Sequence, residues 1–265
     1  MNKNNVKMSM LAVGIILCLL SRVQADLIVH LTVPESGGST TANSGTAGGV
    51  GVLGSGVSFI ADEPVTEVNP TGYSLNVDGT SNSRVTFSDI AEFQQYNSRI
   101  VIAAWIKISD FSHYHHVIHV SSASSGLPTG FVLAVNTNRR LEVSFRPASQ
   151  ESQYASSGLA LVGEGVWTHV AGKIDTVADT ITLYINGEKR YTKSIPGANM
   201  ITGDSNTKFT INRLPGTDSN LFSGLIDDVR IYNNDMTDEE IAALVPEPTA
   251  AALFIFGLLG LMKRK

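Results

Sequence analysis

WTHVAGKID, residues 167–175, and TITLYINGE, residues 180–188, decide the fold class of this chain. In the second stretch Ile181, Leu183 and Ile185 alternate with Thr180, Thr182 and Tyr184, the two-residue period of a half-buried strand, and Asn186-Gly187 supplies the positive φ of a tight hairpin turn. In the first, Val166, Val170 and Ile174 alternate with Trp167, His169 and Ala171. Pairing the two around a turn at Asp175–Asp179, with both apolar sets on one face, puts Val170 opposite Ile185 and Ile174 opposite Ile181. A slip by one residue would turn an apolar set to solvent, so this register is a definite expectation.

Outward from this hairpin the pattern stays that of strands. IVIAAWIKI, residues 100–108, is apolar on both faces over most of its length and reads as a central strand. Ser36 to Ser58, rich in Gly, Ser, Thr and Asn, reads as long surface connections with one short strand at Val50–Leu53. A single helix is expected, at the capping box Thr237-Asp238-Glu239-Glu240 followed by Ile241 and Leu244. The sequence has no internal repeat.

The two ends read as addresses. Lys3 and Lys7 precede an apolar stretch, Met10 to Leu20, and then Val23-Gln24-Ala25, a small-residue cleavage pattern; residues 1–25 are expected to be a signal peptide cut after Ala25. Residues 245–265 begin with Val245-Pro246-Glu247-Pro248 and continue as a 14-residue apolar run, Thr249 to Met262, before Lys263, Arg264 and Lys265. As a helix that run spans roughly 21 Å, short of a comfortable bilayer crossing. No polar stripe interrupts it, which opposes the alternative of a helix docked on a globular core. This tail resembles the PEP-CTERM sorting signal of Gram-negative bacteria, with Pro246, Glu247 and Pro248 as the motif. The resemblance implies an exosortase-type processing protease as partner, passage through the inner membrane, and delivery to the cell surface or extracellular matrix.

Residues 26–244 remain, enough for one large all-β domain. The chain has one cysteine, Cys18, inside the apolar N-terminal run, so the exported domain must be stable through its own core or a bound metal. The net charge is −5, and six of the 19 basic residues (Lys3, Lys7, Arg22, Lys263, Arg264 and Lys265) stand at the two ends, so the domain between is more acidic still. Nucleic acid is excluded as a partner, because phosphate neutralisation needs clustered Lys and Arg. Divalent cations or a neutral glycan suit such a surface better than an anionic glycan.

The order YSLNVDG (73–79) with RVTF (84–87), AAWIKI (103–108), WTHVAGKID into LYINGE (183–188), and GLIDDVRIYNNDMTDEEI (224–241) resembles the laminin-G-like, concanavalin-A-like jelly roll. That family implies a sandwich of two stacked antiparallel sheets, often with one concave face. It supplies no reaction here. Glycoside-hydrolysing relatives need two carboxylates facing one sugar, about 5 to 10 Å apart, and the Glu-x-Asp-x-x-Glu strand pattern of the laminarinase-like branch is missing. No catalytic residue is therefore assigned.

Asp227 alternates with Leu225, Val229 and Ile231 and is expected on the apolar side, where a carboxylate must be paired, hydrogen-bonded or metal-bound. The family resemblance implies a structural calcium near this motif, with Asp227 and Asp78 as ligands; an Asp227 that caps a turn is the alternative. HYHHVIH (113–119) carries His113, His115, His116 and His119, of which only His115 and His119 would share a face of a regular strand, too few for zinc. Trp105, Trp167, His169 and Tyr184 are the candidates for stacking on a sugar, with core packing as the competing role. Two functions stand: a binding or adhesion module for polysaccharide or glycoprotein glycans, and a structural component of the polysaccharide matrix without a specific ligand. Hydrolysis trails both.

Overall fold

The computed structural model describes residues 26–64, 71–87, 90–94, 98–122, 130–146, 151–198, 207–212 and 220–245. Ala25 and the motif Pro246, Glu247 and Pro248 lie outside them. In chain order the strands are β1 (Leu27–Leu31), β2 (Thr40–Ala42), β3 (Val50–Leu53), β4 (Val57–Ile60), β5 (Ser74–Asp78), β6 (Val85–Phe87), β7 (Arg99–Ile108) and β8 (His115–Ser122). Then come β9 (Gly130–Val135), β10 (Leu141–Arg146), β11 (Gln153–Ser156), β12 (Thr168–Asp175), β13 (Thr180–Ile185), β14 (Glu188–Ser194), β15 (Thr207–Ile211) and β16 (Ser223–Tyr232), followed by a short helix, α1 (Asp238–Ala242). Among the described residues no helix is long and apolar enough to cross a membrane.

Two eight-stranded sheets stack face to face. The first has the order β14-β13-β12-β7-β16-β5-β4 with β1 added on β16; the second has the order β11-β10-β9-β8-β15-β6-β3-β2. All pairs are antiparallel, and strands distant in sequence lie side by side, as β7 does between β12 and β16. This is the connectivity of a jelly roll. The β12–β13 register has Val170 opposite Ile185 and Ile174 opposite Ile181, as the shared apolar face demands. Val166 departs from that pattern: it is 57% exposed and precedes the strand, which starts at Thr168.

The main core lies between the sheets. From β7 it takes Ile100, Ile102, Ala104, Ile106 and Ile108; the second sheet contributes Val120, Phe131, Val143, Phe145 and Phe209. Gly172 marks the closest approach, since a Cβ there would stand 2.3 Å from Val143 Cγ2. The Gly-rich segment before β4 holds β3 where expected and also β2, short strands that pair through backbone. They need few large side chains because Phe87 reaches over Gly51, whose Cβ would sit 2.4 Å from that ring.

The outer face of the first sheet is closed by the chain that follows β16. A second apolar cluster joins Val101, Ala103, Ala171 and Tyr184 of the sheet to Met236, Ile241 and Leu244. The capping box forms as the sequence requires: Glu240 N donates to Thr237 Oγ1 (3.2 Å) and Thr237 N to Glu240 Oε2 (2.7 Å). Tyr184 OH donates to Asp238 at 2.7 Å and fixes α1 to β13. The outer face of the second sheet has no such cover from any helix among the described residues.

Candidate functional site

Three of the four aromatic candidates lie on the closed face. Trp105 is 3% exposed, His169 1% and Tyr184 1%, with the His169 ring edge-on to Trp105 at 5.4 Å. Burial pulls the His169 imidazole down to a pKa of about 4. The stacking role expected of Trp105, His169 and Tyr184 is thus corrected in favour of the competing packing role: these side chains leave the main core, but the second cluster of α1 and its neighbours packs against that same face. Trp167 stands just before β12, half-buried, and its indole Nε1 donates to Asp62 at 2.8 Å.

Asp227 is buried, yet its face differs from the expected one. It pairs with Trp105, and the four β16 residues Asp227 to Arg230 stand opposite three on β7, Trp105 to Ala103. This bulge puts an extra residue into the alternation, so Val229 and Ile231 reach the main core while Asp227 faces outward with Trp105. Asp228, at φ 43°, occupies the bulge. Its Oδ1 accepts from Arg230 Nε (2.7 Å) and lies 2.9 Å from His30 Nε2. Burial raises the Asp228 carboxyl, but His30 and Arg230 outweigh it and hold the group below the usual carboxylate range.

Asp78 is exposed and closes its own turn, accepting from Thr80 N (2.9 Å) and Thr80 Oγ1 (2.8 Å). It pairs with Ser223, four residues along β16 from Asp227, roughly 13 Å at ~3.3 Å per residue. Calcium ligands stand about 2.3–2.6 Å from the ion, so Asp78 and Asp227 do not fit one calcium site. Among the described residues no group of three or more His, Cys, Asp or Glu side chains is placed to hold a metal.

The histidine tract is also divided differently from the expectation. One extra residue between His116 and Ile118, opposite Ala134 and Leu133, forms a second bulge. It places His116 and His119 together on the outer face, rings 5.7 Å apart. His115 turns inward, its Nε2 2.8 Å from the Asp110 carbonyl oxygen. Burial first, and then His113 beside it, lower its pKa to about 4. β8 runs between β9 and β15 and is not an edge strand.

The outer face of the second sheet, without helical cover among the described residues, carries rows of residues that cross the strands. One row is Lys208, Ser121, Gly130 and Arg146, on β15, β8, β9 and β10. The next is Thr210, His119, Val132, Ser144 and Tyr154, and a third holds His116, Ala134, Glu142 and Ser156. A groove of about 160 Å³ opens among His119, Ser121, Val132, Ser144, Arg146 and Ser152. Gly130, at its margin, tolerates no side chain, because at φ 140° a Cβ would stand 1.9 Å from the Val120 carbonyl oxygen. Glu142 is the carboxylate of these rows; Tyr114 OH (2.6 Å) and Asn136 Nδ2 (2.7 Å) donate to it. Burial and Glu142 together raise the Tyr114 phenol above its ordinary pKa. Apart from His119, these groove residues escaped the sequence reading, although LEVSFR (141–146) carries the signal of two of them in plain alternation: Leu141, Val143 and Phe145 inward, Glu142, Ser144 and Arg146 outward.

Among curated proteins none matches the chain by sequence. In fold it is similar to the binding domain of a paraclostridial mosquitocidal protein, with TM-score 0.62, 17% identity, and coverage of 83% of this chain and 51% of that one. It is similar too to the botulinum neurotoxin serotype G binding domain, with TM-score 0.63, 14% identity and coverage of 83% and 50%. A third likeness is domain 4 of an extracellular arabinanase from Geobacillus stearothermophilus, solved in complex with arabinotriose: TM-score 0.59, 17% identity, coverage 83% and 98%. The chain spans about half the length of the toxin domains, and at these identities the likeness concerns the fold. The profile of the concanavalin A-like lectin/glucanases superfamily matches residues 78–242, from the end of β5 through α1, and the chain belongs to that superfamily.

Proposed function

We propose that the chain is an exported, non-catalytic glycan-binding module whose site is the groove on the outer face of the second sheet. The observation that carries this reading is the asymmetry of the sandwich: one outer face is closed by α1, while the other is polar and grooved. The groove is smaller than the roughly 300–1,000 Å³ of drug-sized pockets and suits a unit the size of one sugar ring. Ser144 and Ser152 offer hydroxyl partners, and Val132 an apolar spot for a ring's C–H face. The arabinanase domain solved with arabinotriose supports a saccharide as ligand for this architecture. A hydrolase would need a carboxylate pair, and the rows of this face offer Glu142, already held by Tyr114 and Asn136.

A glycan array probed with the full-length chain tests the site. Ser144→Trp, which fills the groove from a half-buried position, is expected to abolish saturable binding with little change in melting temperature. Unchanged binding by a folded Ser144→Trp variant would overturn the assignment.

The terminal signals complete the proposal. The chain is delivered through the inner membrane to the surface or matrix, beginning at Asp26 and trimmed after the Pro246–Pro248 motif by an exosortase-type protease. Mass spectrometry of the surface form is expected to find Asp26 at the N-terminus and to lack Lys263–Lys265. Recovery of the intact basic tail would sink the processing step.

A further inference from the structure

We infer that the groove selects carboxylated saccharides, chains containing uronic acids, over neutral ones; the inference rests on the reading of this face as a glycan site. The acidic net charge argues the other way, but a bound ligand feels the charges nearest to it, and distant exposed charges are screened within about 10 Å. Most cations of the domain are already neutralised. Arg99 sits on Asp175, Lys107 on Asp62, Arg139 on Glu164, Lys173 on Asp235, Lys189 on Asp238 and Arg230 on Asp228. Arg146 and Lys208 differ, since neither forms an ion pair with a described residue.

Both belong to the same row, Lys208–Ser121–Gly130–Arg146, and flank its center. Three strand spacings of ~4.8 Å separate their backbones, roughly 14 Å. Among the described residues, those between them are a serine, 2% exposed, and a glycine whose Cβ would strike the Val120 carbonyl oxygen, so neither projects a bulky side chain between the two cations. The half-buried guanidinium of Arg146 borders the groove and matches a carboxylate with two parallel N–H donors, while exposed Lys208 reaches a second charge further along the chain. Among the described residues opposing charge is scarce on this face. Glu142 lies two rows away and is held by Tyr114 and Asn136, and Glu151 is exposed two residues before β11.

Affinity electrophoresis of the full-length chain through gels containing polygalacturonate or alginate, and through gels containing the same polymers after carboxyl reduction, tests the inference. The acidic polymers are expected to retard the protein, added salt to weaken the retardation, and carboxyl reduction to remove it. Arg146→Gln and Lys208→Gln are each expected to weaken binding about fivefold, as a partly exposed ion pair would, and the double variant more, at unchanged melting temperature. Equal retardation by the carboxyl-reduced polymers, or unchanged retardation of the folded double variant, overturns the charge selectivity. If the reduced polymers bind and Ser144→Trp abolishes that binding, the glycan site stands while its preference for acids falls. If no polymer of either kind binds, both fall.

Discussion

His115 and His169 sit in the fold as neutral imidazoles with pKa values of about 4, against about 6.5 for the unfolded chain. Between those values the unfolded chain binds protons that the folded one refuses, so stability is full above pH about 6.5 and is lost as pH falls toward 4. Each histidine contributes up to a few kcal/mol to that loss. The melting temperature is expected to drop between pH 7 and pH 4.5, and less steeply in a His115→Gln/His169→Leu double variant, whatever its stability at pH 7. Equal slopes would show that other groups control the acid limb. Asp227 makes a second residue-scale test. Because Asp78 and Asp227 are too far apart to share an ion, Asp227→Asn is expected to leave any difference in melting temperature between excess calcium and chelator unchanged. A calcium dependence present in the wild type and missing in Asp227→Asn would restore Asp227 as a ligand.

At the scale of elements, α1 is too short to persist by itself and exists through its cap and its packing. Thr237→Ala removes the side-chain acceptor for Glu240 N and is expected to cost about 1 kcal/mol in urea denaturation. Ile241→Ala, which empties a fully buried position between α1 and the sheet, is expected to cost about 2–5 kcal/mol. If both changes were neutral, α1 would not be the cover of the first sheet. Contact between the sheets is tested at Gly172. Gly172→Val should destabilise by roughly 1–3 kcal/mol through overpacking, and Val143→Ala in the same chain should recover part of that loss, since Val143 is the side chain displaced. Strict additivity of the two changes would place the strain elsewhere.

On the scale of the whole molecule, one apolar cluster draws residues from both sheets, and the single cysteine rules out an intrachain disulfide. Stability therefore rests on a shared core, and the domain is expected to unfold in one cooperative step. Both tryptophans, Trp105 and Trp167, belong to the first sheet or its border, whereas far-UV circular dichroism reports on both sheets. The two signals are expected to coincide through a denaturant titration and to be indifferent to reductant. Separate transitions would mean that the second sheet, which carries the groove, melts independently.

The sequence by itself determined what depends on near neighbours along the chain. The two-residue periods of β12 and β13 fixed their register, the apolar run of β7 fixed its central place, and the Thr237–Glu240 box fixed the helix start, because each signal is local and strong. Tertiary structure decided what local periodicity cannot carry. The bulges in β8 and β16 each insert one residue opposite a partner strand, which reverses the face of the residues beyond it: Val229 and Ile231 turn to the core while Asp227 faces outward, and His116 joins His119. Which outer face stays open depends on where the chain after β16 comes to rest, and that closed the surface where Trp105, His169 and Tyr184 were expected to meet a sugar. The row from Lys208 to Arg146 is assembled from four strands, with β15 distant in sequence from the other three. Its chemistry arises because antiparallel pairing sets residues from separate segments side by side, a juxtaposition that no single stretch of sequence encodes.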